Sequence, residues 1–365
     1  MAEAEQPTAS AAADPRLATV AIPARDEEPF IGACLRSVLS QTYGNLQVVV
    51  VDAGSRDGTQ DVVRRIASTD PRVELLERRD ATIPRALNEA LAVSRGRWFV
   101  RVDAHSTVPP DYVELAVQRL RTGRWGGVGG RKDGVGVTPM GRAIAMAMAS
   151  RVGVGGSAYH YVQTPGPTDH VPFGAYPTEL IRELGGWDER LVANEDFEFD
   201  QRVRRAGHEL FLDPRMHIAW HCRQTISDLY GQYRRYGKAK PAVAVLHPGS
   251  IRLRHVGAAL LPGYWTVAGL AALVRPRLAV TVLAPYGAAL VWVGLRAALR
   301  AGDPAMALRV PFAVLAMHGG WGVGFWQGTL DARRRGGLGR GRAHAAGETG
   351  TSTALRGKRR RNGGA

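Results

Sequence analysis

VVVDAGSRDGT, residues 49–59, is the stretch on which the reading of this chain turns. With Leu46 and Gln47 before it, the β-branched run is suited to a strand buried on both faces. Asp52-Ala53-Gly54-Ser55 cuts the run. Residues 57–67 then show helical spacing, with Asp57 as the capping residue. Working outward, ATVAIPA (18–24) is a second buried strand. Residues 29–39 place Phe30, Ile31, Cys34, Leu35, Val38 and Leu39 at helical spacing. Downstream come a strand at 73–76, a helix at 84–94 with Pro84 at its first turn, and a strand at 98–102 that ends at Asp103. Strand and helix alternate through short connections. This predicts an α/β domain with a Rossmann-like, mostly parallel sheet covered on both faces. Ligands bind such sheets at the carboxyl ends of the strands. Arg25, Asp26 and Glu27, then Asp52, then Asp103 and His105 stand at those ends.

The motifs of two common nucleotide-binding folds are missing. No G-x-G-x-x-G follows the first strand, and no G-x-x-x-x-G-K occurs, so a plain dinucleotide domain and a P-loop NTPase lose their support. Carboxylates cluster where glycines would be. A carboxylate meets a phosphate through a divalent metal, or it accepts hydrogen bonds from a ribose or base edge, which suggests a nucleotide-sugar site. The two cysteines, Cys34 and Cys222, are too few for a disulfide scaffold or a Cys-rich zinc site. Residues 1–16 read as an unstructured start without the basic and apolar blocks of a secretory signal.

The charge of the 365-residue chain is +15, and residues 331–365 carry +8 of it in a Gly-rich basic tail expected to be disordered. No recognition helix, zinc finger or RNP-type strand accompanies the tail, so no nucleic-acid partner is expected. An anionic membrane surface fits better, because the preceding region is apolar. Residues 256–274, 278–295 and 310–330 contain no Asp, Glu, Lys or Arg, and each is about the ~17–25 residues that a spanning helix needs. They hold four of the eight tryptophans, Trp265, Trp292, Trp321 and Trp326. The Pro and Gly content, and His318, leave room for one segment to be re-entrant or interfacial. The expected organisation is an unstructured 1–16, a catalytic domain at 17–250, membrane-associated helices at 251–330 and the basic tail at 331–365.

Four blocks in order over about residues 18–240 resemble the family 2 inverting glycosyltransferases of the GT-A fold. VAIPARDEE is similar to that family's opening strand. VVVDAGSRDGT looks like its V-V-D-x-S-x-D-G-T block, and WFVRVDAHS takes the place of its D-x-D strand end. GGWDERLVANEDFEFDQRVRRAG and QYRRYGKAK resemble its G-G-F-D…E-D stretch and its Q-x-x-R-W-like segment. With the apolar C-terminal region, the nearest likeness is to the membrane-associated succinoglycan-type exopolysaccharide glucosyltransferases. This chain departs from the pattern at Asp26, where Asn is usual, and at Leu87, where Arg often precedes the Asn, here Asn88. It departs again at His105, where a second carboxylate is usual, and at Tyr236, where Trp is usual.

The resemblance implies a donor site built from Pro23, Arg25, Glu27, Asp52, Arg85, Asn88, Asp103, Gln232, Arg235 and Tyr236. It implies a divalent metal, Mn or Mg, held by Asp103 and His105; imidazole favours Mn²⁺. Glu195 and Asp196 are the expected catalytic pair. They open a helix after a Gly-Gly-Trp-Asp turn, and a carboxylate at a helix N-terminus stays ionised and able to accept a proton. Asp196 is expected as base and Glu195 as the residue that orients the acceptor. Glu198 and Asp200 read as helix-surface charges, and His160, His170, His217 and His221 as core or loop residues. Residues 159–176 read as an acceptor-side loop. The expected activity is inverting, metal-dependent transfer of a hexose, from UDP-glucose by family weight, to a lipid-linked glycan. The expected location is the cytosolic face of the inner cell membrane. A nucleotidyltransferase and a catalytically inactive glycan-binding scaffold are the alternatives.

Overall fold

In a computed structural model the described residues are 14–191 and 193–334. The expectations for 1–13 and for 335–365 lie outside them. Val48 and Val50 of β2 (Leu46–Asp52) pack into one core, and Val49 and Val51 into the core on the opposite face of the sheet. The apolar run at this strand therefore serves two layers at once. β1 (Asp14–Ala24) does the same with Val20 and Ile22 against Ala21. It begins at Asp14, inside the stretch expected to be unstructured.

The chain continues through α1 (Glu28–Leu39), α2 (Thr59–Ala67), β3 (Val73–Glu77), α3 (Ile83–Ala92), β4 (Gly96–Arg101), β5 (Ser106–Thr107) and α4 (Tyr112–Arg121). Then follow β6 (Trp125–Val135), α5 (Pro139–Met148), α6 (Arg151–Val154), β7 (Gly166–Thr168), β8 (Ala175–Pro177), α7 (Thr178–Glu183), α8 (Glu195–Arg205) and β9 (Glu209–His221). Strand order is β3-β2-β1-β4-β8-β6-β9-β5, with β7 on β9. β1 to β4 are parallel, as the alternation predicts. The second half is mixed: β8 runs antiparallel to both β4 and β6, and β6 is parallel to β9. β8 is three residues long, too short to leave an alternation signal in the sequence.

α9 (Ile226–Leu246), α10 (Leu253–Val274), α11 (Pro276–Ala301) and α12 (Met306–Arg334) complete the chain. Among the described residues two helical segments are long and apolar enough to cross a membrane, His255–Val274 and Pro276–Ala301. Their large apolar side chains are exposed, Leu260, Val267, Leu270, Leu273, Val280 and Leu295 among them. The third apolar segment behaves differently. Val310, Ala313, Val314 and Met317 of α12 are buried in the core that also holds Val20 and Val48. A Cβ at Gly320, Gly324 or Gly328 would strike the carbonyl oxygens of Tyr230, Arg234 and Lys238 on α9. Glycines every fourth residue let the two parallel helices touch backbone to backbone. Composition alone does not separate such a packing helix from a spanning one.

Candidate active site

The first two strand-end loops are tied together. The Asp26 N–H donates to Ser55 Oγ at 2.9 Å, and the Arg56 N–H donates to Asp26 Oδ1 at 2.8 Å. The Glu28 N–H donates to Asp57 Oδ2 and the Gly58 N–H to Glu28 Oε2. Asp57 Oδ1 accepts from the Thr59 N–H at 3.0 Å and so caps the first turn of α2, with Gly58 at the helix boundary. Asp26 has φ +54°, a left-handed conformation that Asn and Asp tolerate best among side-chain-bearing residues, which accounts for Asp where Asn is usual. Asp52 is fully buried. Its Oδ1 accepts from the Gly54 and Ser55 N–H groups, both at 3.0 Å, and from Gln60 Nε2 at 2.7 Å, and its Oδ2 accepts from the Ser55 hydroxyl.

Several residues expected at the donor therefore hold other groups of the protein. Asp52 builds its turn. The Glu27 N–H donates to Thr59 Oγ1, and Glu27 Oε1 contacts His105 Nδ1. Asn88 donates to Trp187 O and Glu189 Oε1, both at 2.9 Å, and accepts from the Trp187 N–H at 2.8 Å, which clamps the Gly-Gly-Trp-Asp turn to α3. Asp52 and Asn88 are thereby fixed by neighbouring backbone groups, and Glu27 by its Oε1 contact to His105. Pro23 lies within β1 opposite Val51, Arg25 is exposed just beyond that strand, and Arg85 is exposed beside Glu89. None of the six lines the cavity beside β4, β6 and α8.

A cavity of about 580 Å³ opens beside β4, β6 and α8, and Asp103, His105, Glu195, Asp196, Gln232, Arg235 and Tyr236 all line it. Arg101, buried on β4, joins the carboxylates: Nε donates to Asp103 Oδ1 at 2.9 Å and Nη1 to Glu195 Oε1 at 3.0 Å. Burial lowers the guanidinium's proton affinity, but Asp103, Glu195 and Asp196 outweigh it and hold Arg101 above its usual range. Burial raises the Glu195 carboxyl, repulsion from Asp196 adds to this, and Arg101 opposes both. For Asp196 burial again raises, but His170, Arg101, the Phe197 N–H and Lys132 together pull it below the ordinary carboxylate range. That N–H, in the first turn of α8, donates to Asp196 Oδ1 at 2.7 Å. The two adjacent carboxyls are thus shifted in opposite directions, and the lowered one, Asp196, is favoured in its ionised form, the form a general base requires.

His170 was read as a core or loop residue, yet its Nε2 faces Asp196 Oδ2 at 3.9 Å while Nδ1 bonds Asp200 Oδ2 at 2.7 Å. Asp200 also accepts from the Val171 N–H and the Tyr176 hydroxyl, both at 2.8 Å. It is fully buried and Glu198 nearly so, contrary to the reading of both as surface charges. Glu198 holds Arg202 and His247. The sequence signal that could have found Asp200 is its position four residues after Asp196, on the same helix face. On α9, Gln232 Nε2 donates to the Tyr236 hydroxyl at 3.1 Å, and Asn194 Nδ2 donates to the Tyr236 carbonyl at 3.1 Å.

His105 has both ring nitrogens engaged. Nδ1 bonds Glu27 Oε1 at 2.9 Å, and Nε2 accepts from the indole N–H of Trp220 at 2.7 Å. The lone pair a metal would need is thus given to Trp220, which departs from the expectation for His105. Among the described residues no group of three or more His, Cys, Asp or Glu stands together as a metal cage. Of the two residues expected at the metal, Asp103 alone offers a carboxylate to it from the cavity wall. One carboxylate suits a cation that takes its other oxygens from a substrate's phosphates.

The family model described as glycosyl transferase family 2 matches residues 19–183. The succinoglycan biosynthesis protein ExoA of Rhizobium meliloti (strain 1021) is 31% identical over 320 residues, covering 87% of this chain and 96% of that protein. A dolichyl N-acetyl-alpha-D-glucosaminyl phosphate 3-beta-D-2,3-diacetamido-2,3-dideoxy-beta-D-glucuronosyltransferase of Methanococcus voltae is 26% identical over 61% of this chain and 72% of its own length. Among solved structures, the mannosyltransferase PcManGT from Pyrobaculum calidifontis, in complex with GDP-Man and Mn²⁺, is similar with a TM-score of 0.56 and 23% identity. The match covers 83% of this chain and 87% of that one, and it shows the GT-A fold.

Proposed function

Because this chain belongs to glycosyl transferase family 2, we propose that it moves a hexose from a nucleoside-diphosphate sugar, UDP-glucose in our reading, onto a lipid-linked glycan with inversion. The observation that carries the reading is the Asp196 carboxylate, kept ionised at the start of α8 in the cavity that Asp103 also lines. Asp196 takes the acceptor's hydroxyl proton as that oxygen attacks the anomeric carbon. The bond from that carbon to the diphosphate oxygen breaks on the opposite face, and its electron pair leaves with the nucleoside diphosphate. Glu195, gripped by Arg101, orients the acceptor beside the base. Gln232, Arg235 and Tyr236 cover the donor from α9. A divalent cation, when bound, would neutralise charge on the departing diphosphate, and Asp103 is the residue that would hold it.

The exposed apolar faces of α10 and α11 support membrane association. An enzyme confined to the cytosolic face of the cell membrane meets a lipid-linked acceptor in two dimensions. The name of the Rhizobium relative supports a place in exopolysaccharide or envelope glycan synthesis. The test is a donor panel on the detergent-solubilised full chain. UDP release from UDP-glucose that depends on a lipid-linked acceptor is the expected result. Release of pyrophosphate would support the nucleotidyltransferase alternative, and no release from any donor would support the inactive scaffold.

A further inference from the structure

Lys132 lies just past the register shift that β6 makes against β9 between Gly130 and Arg131. Strand alternation sends Arg131 and Asp133 to one face, where they pair at 2.9 Å and His217 joins Asp133. Lys132 goes to the other face and lines the cavity. Its Nζ rests 3.7 Å from the centroid of the Trp220 ring and 4.5 Å from that of Phe173. Among the described residues the ammonium has no carboxylate within the 4.0 Å of an ion pair. The neighbouring cation is differently placed, since Arg101 is already bonded to Asp103 and Glu195.

Aromatic faces attract an ammonium but leave its three N–H donors without acceptors. On this half-buried cation ring faces replace part of the water shell, and an anion that joins it supplies the acceptors the rings lack. The platform beneath it is itself fixed. Trp220 donates its indole N–H to His105, and His105 is held by Glu27. The imidazole that replaces a second carboxylate therefore removes one negative charge and steadies the ring on which a positive charge sits.

We propose that Lys132, seated on Trp220, is a phosphoryl-oxyanion site of this cavity, and that the oxyanion it takes is the diphosphate of the nucleotide leaving the donor sugar. The inference rests on the transferase reading above. As the bond from the anomeric carbon breaks, negative charge grows on the diphosphate, and a cation fixed in advance stabilises that charge most in the transition state. Burial pushes the Lys132 amine down to about 8, with Asp103 and Asp196 pulling it up and Arg101 pulling it further down. An arriving oxyanion reverses the fall. A phosphate on an incoming lipid-linked acceptor offers the same oxygens, so the test separates the two sources.

The full chain in detergent micelles is titrated calorimetrically with UDP, uridine, inorganic pyrophosphate and farnesyl phosphate. Lys132→Met keeps the stem against the rings and removes the charge, and Lys132→Arg keeps the charge. Loss of one charge-assisted contact should weaken UDP and pyrophosphate binding by about 10- to 100-fold in Lys132→Met. Uridine binding should be unchanged, and Lys132→Arg should recover most of the lost affinity. A loss confined to farnesyl phosphate would overturn the assignment to the donor and give the site to the acceptor. Unchanged binding of all three phosphorylated probes by Lys132→Met would overturn the site itself. A wild-type chain that binds no nucleoside diphosphate would overturn the transferase reading, and this inference with it.

Discussion

The loops after β1 and β2 and the cavity wall built from β4, β6, β9 and α8 use polar residues in opposite ways. In the loops Asp26, Glu28, Asp52 and Asp57 accept hydrogen bonds from nearby backbone N–H groups. On the wall Asp196, Lys132 and Asp103 face a cavity of about 580 Å³. The loops carry the most recognisable motif in the chain, yet its carboxylates mostly build the turns. The β6 stretch of the wall carries no motif read from the sequence, yet it supplies a cation to the cavity. A dense local pattern here marks a backbone that must be held in an unusual shape, and chemistry need not sit on the same residues.

That contrast predicts that loop substitutions lower stability, whereas wall substitutions change binding or turnover at nearly unchanged stability. The largest stability effect should come from Asp52→Ala, which leaves two backbone N–H groups, the Gln60 amide and the Ser55 hydroxyl without their acceptor. A loss of about 3–5 kcal/mol is expected from several such orphaned groups, read as a thermal midpoint lower by roughly 6 °C or more. An unshifted midpoint would break the comparison on the loop side.

Asn88→Ala should come next, at about 1–3 kcal/mol, because it releases the turn that leads into Glu195 and Asp196. Limited proteolysis around Trp187 should become faster. If the clamp also sets the position of the base, kcat falls more than KM rises.

The smallest effect is a pH dependence. Free Lys132 loses its proton as pH rises through about 8. Its charged form is the one that holds a phosphoryl group, so binding above that pH requires proton uptake. Pyrophosphate affinity should then fall by up to about tenfold per pH unit. Asp103 from the β4 end, Asp196 from α8, Arg101 from β4 and Cys222 after β9 face the same amine. Lys132→Arg should flatten the dependence between pH 7 and 9, because a guanidinium stays charged there.

Much of this was legible in the sequence for physical reasons. A strand buried on both faces must be continuously apolar, so 18–24, 46–51, 73–76 and 98–102 stood out. Asp103, Glu195, Asp196 and the α9 residues Gln232, Arg235 and Tyr236 were legible through the family pattern, and all line one cavity. What was not legible depends on contacts between distant segments. Arg101 sits inside an apolar strand, and only folding brings Glu195 to it. His170 gains a partner across 30 residues and Trp220 meets His105 across 115. The segment 310–330 matched spanning helices in length and composition, because glycines that let α12 touch α9 count as neutral in any apolar tally.

The central claim is that Asp196 is the base of a sugar transfer in this cavity. Its most direct test is Asp196→Asn in the full chain, with turnover and nucleoside-diphosphate affinity measured on the same preparation. Turnover should fall by about 10²–10⁴, the range for loss of a general base, while affinity stays close to wild type. Wild-type turnover in Asp196→Asn would contradict the account.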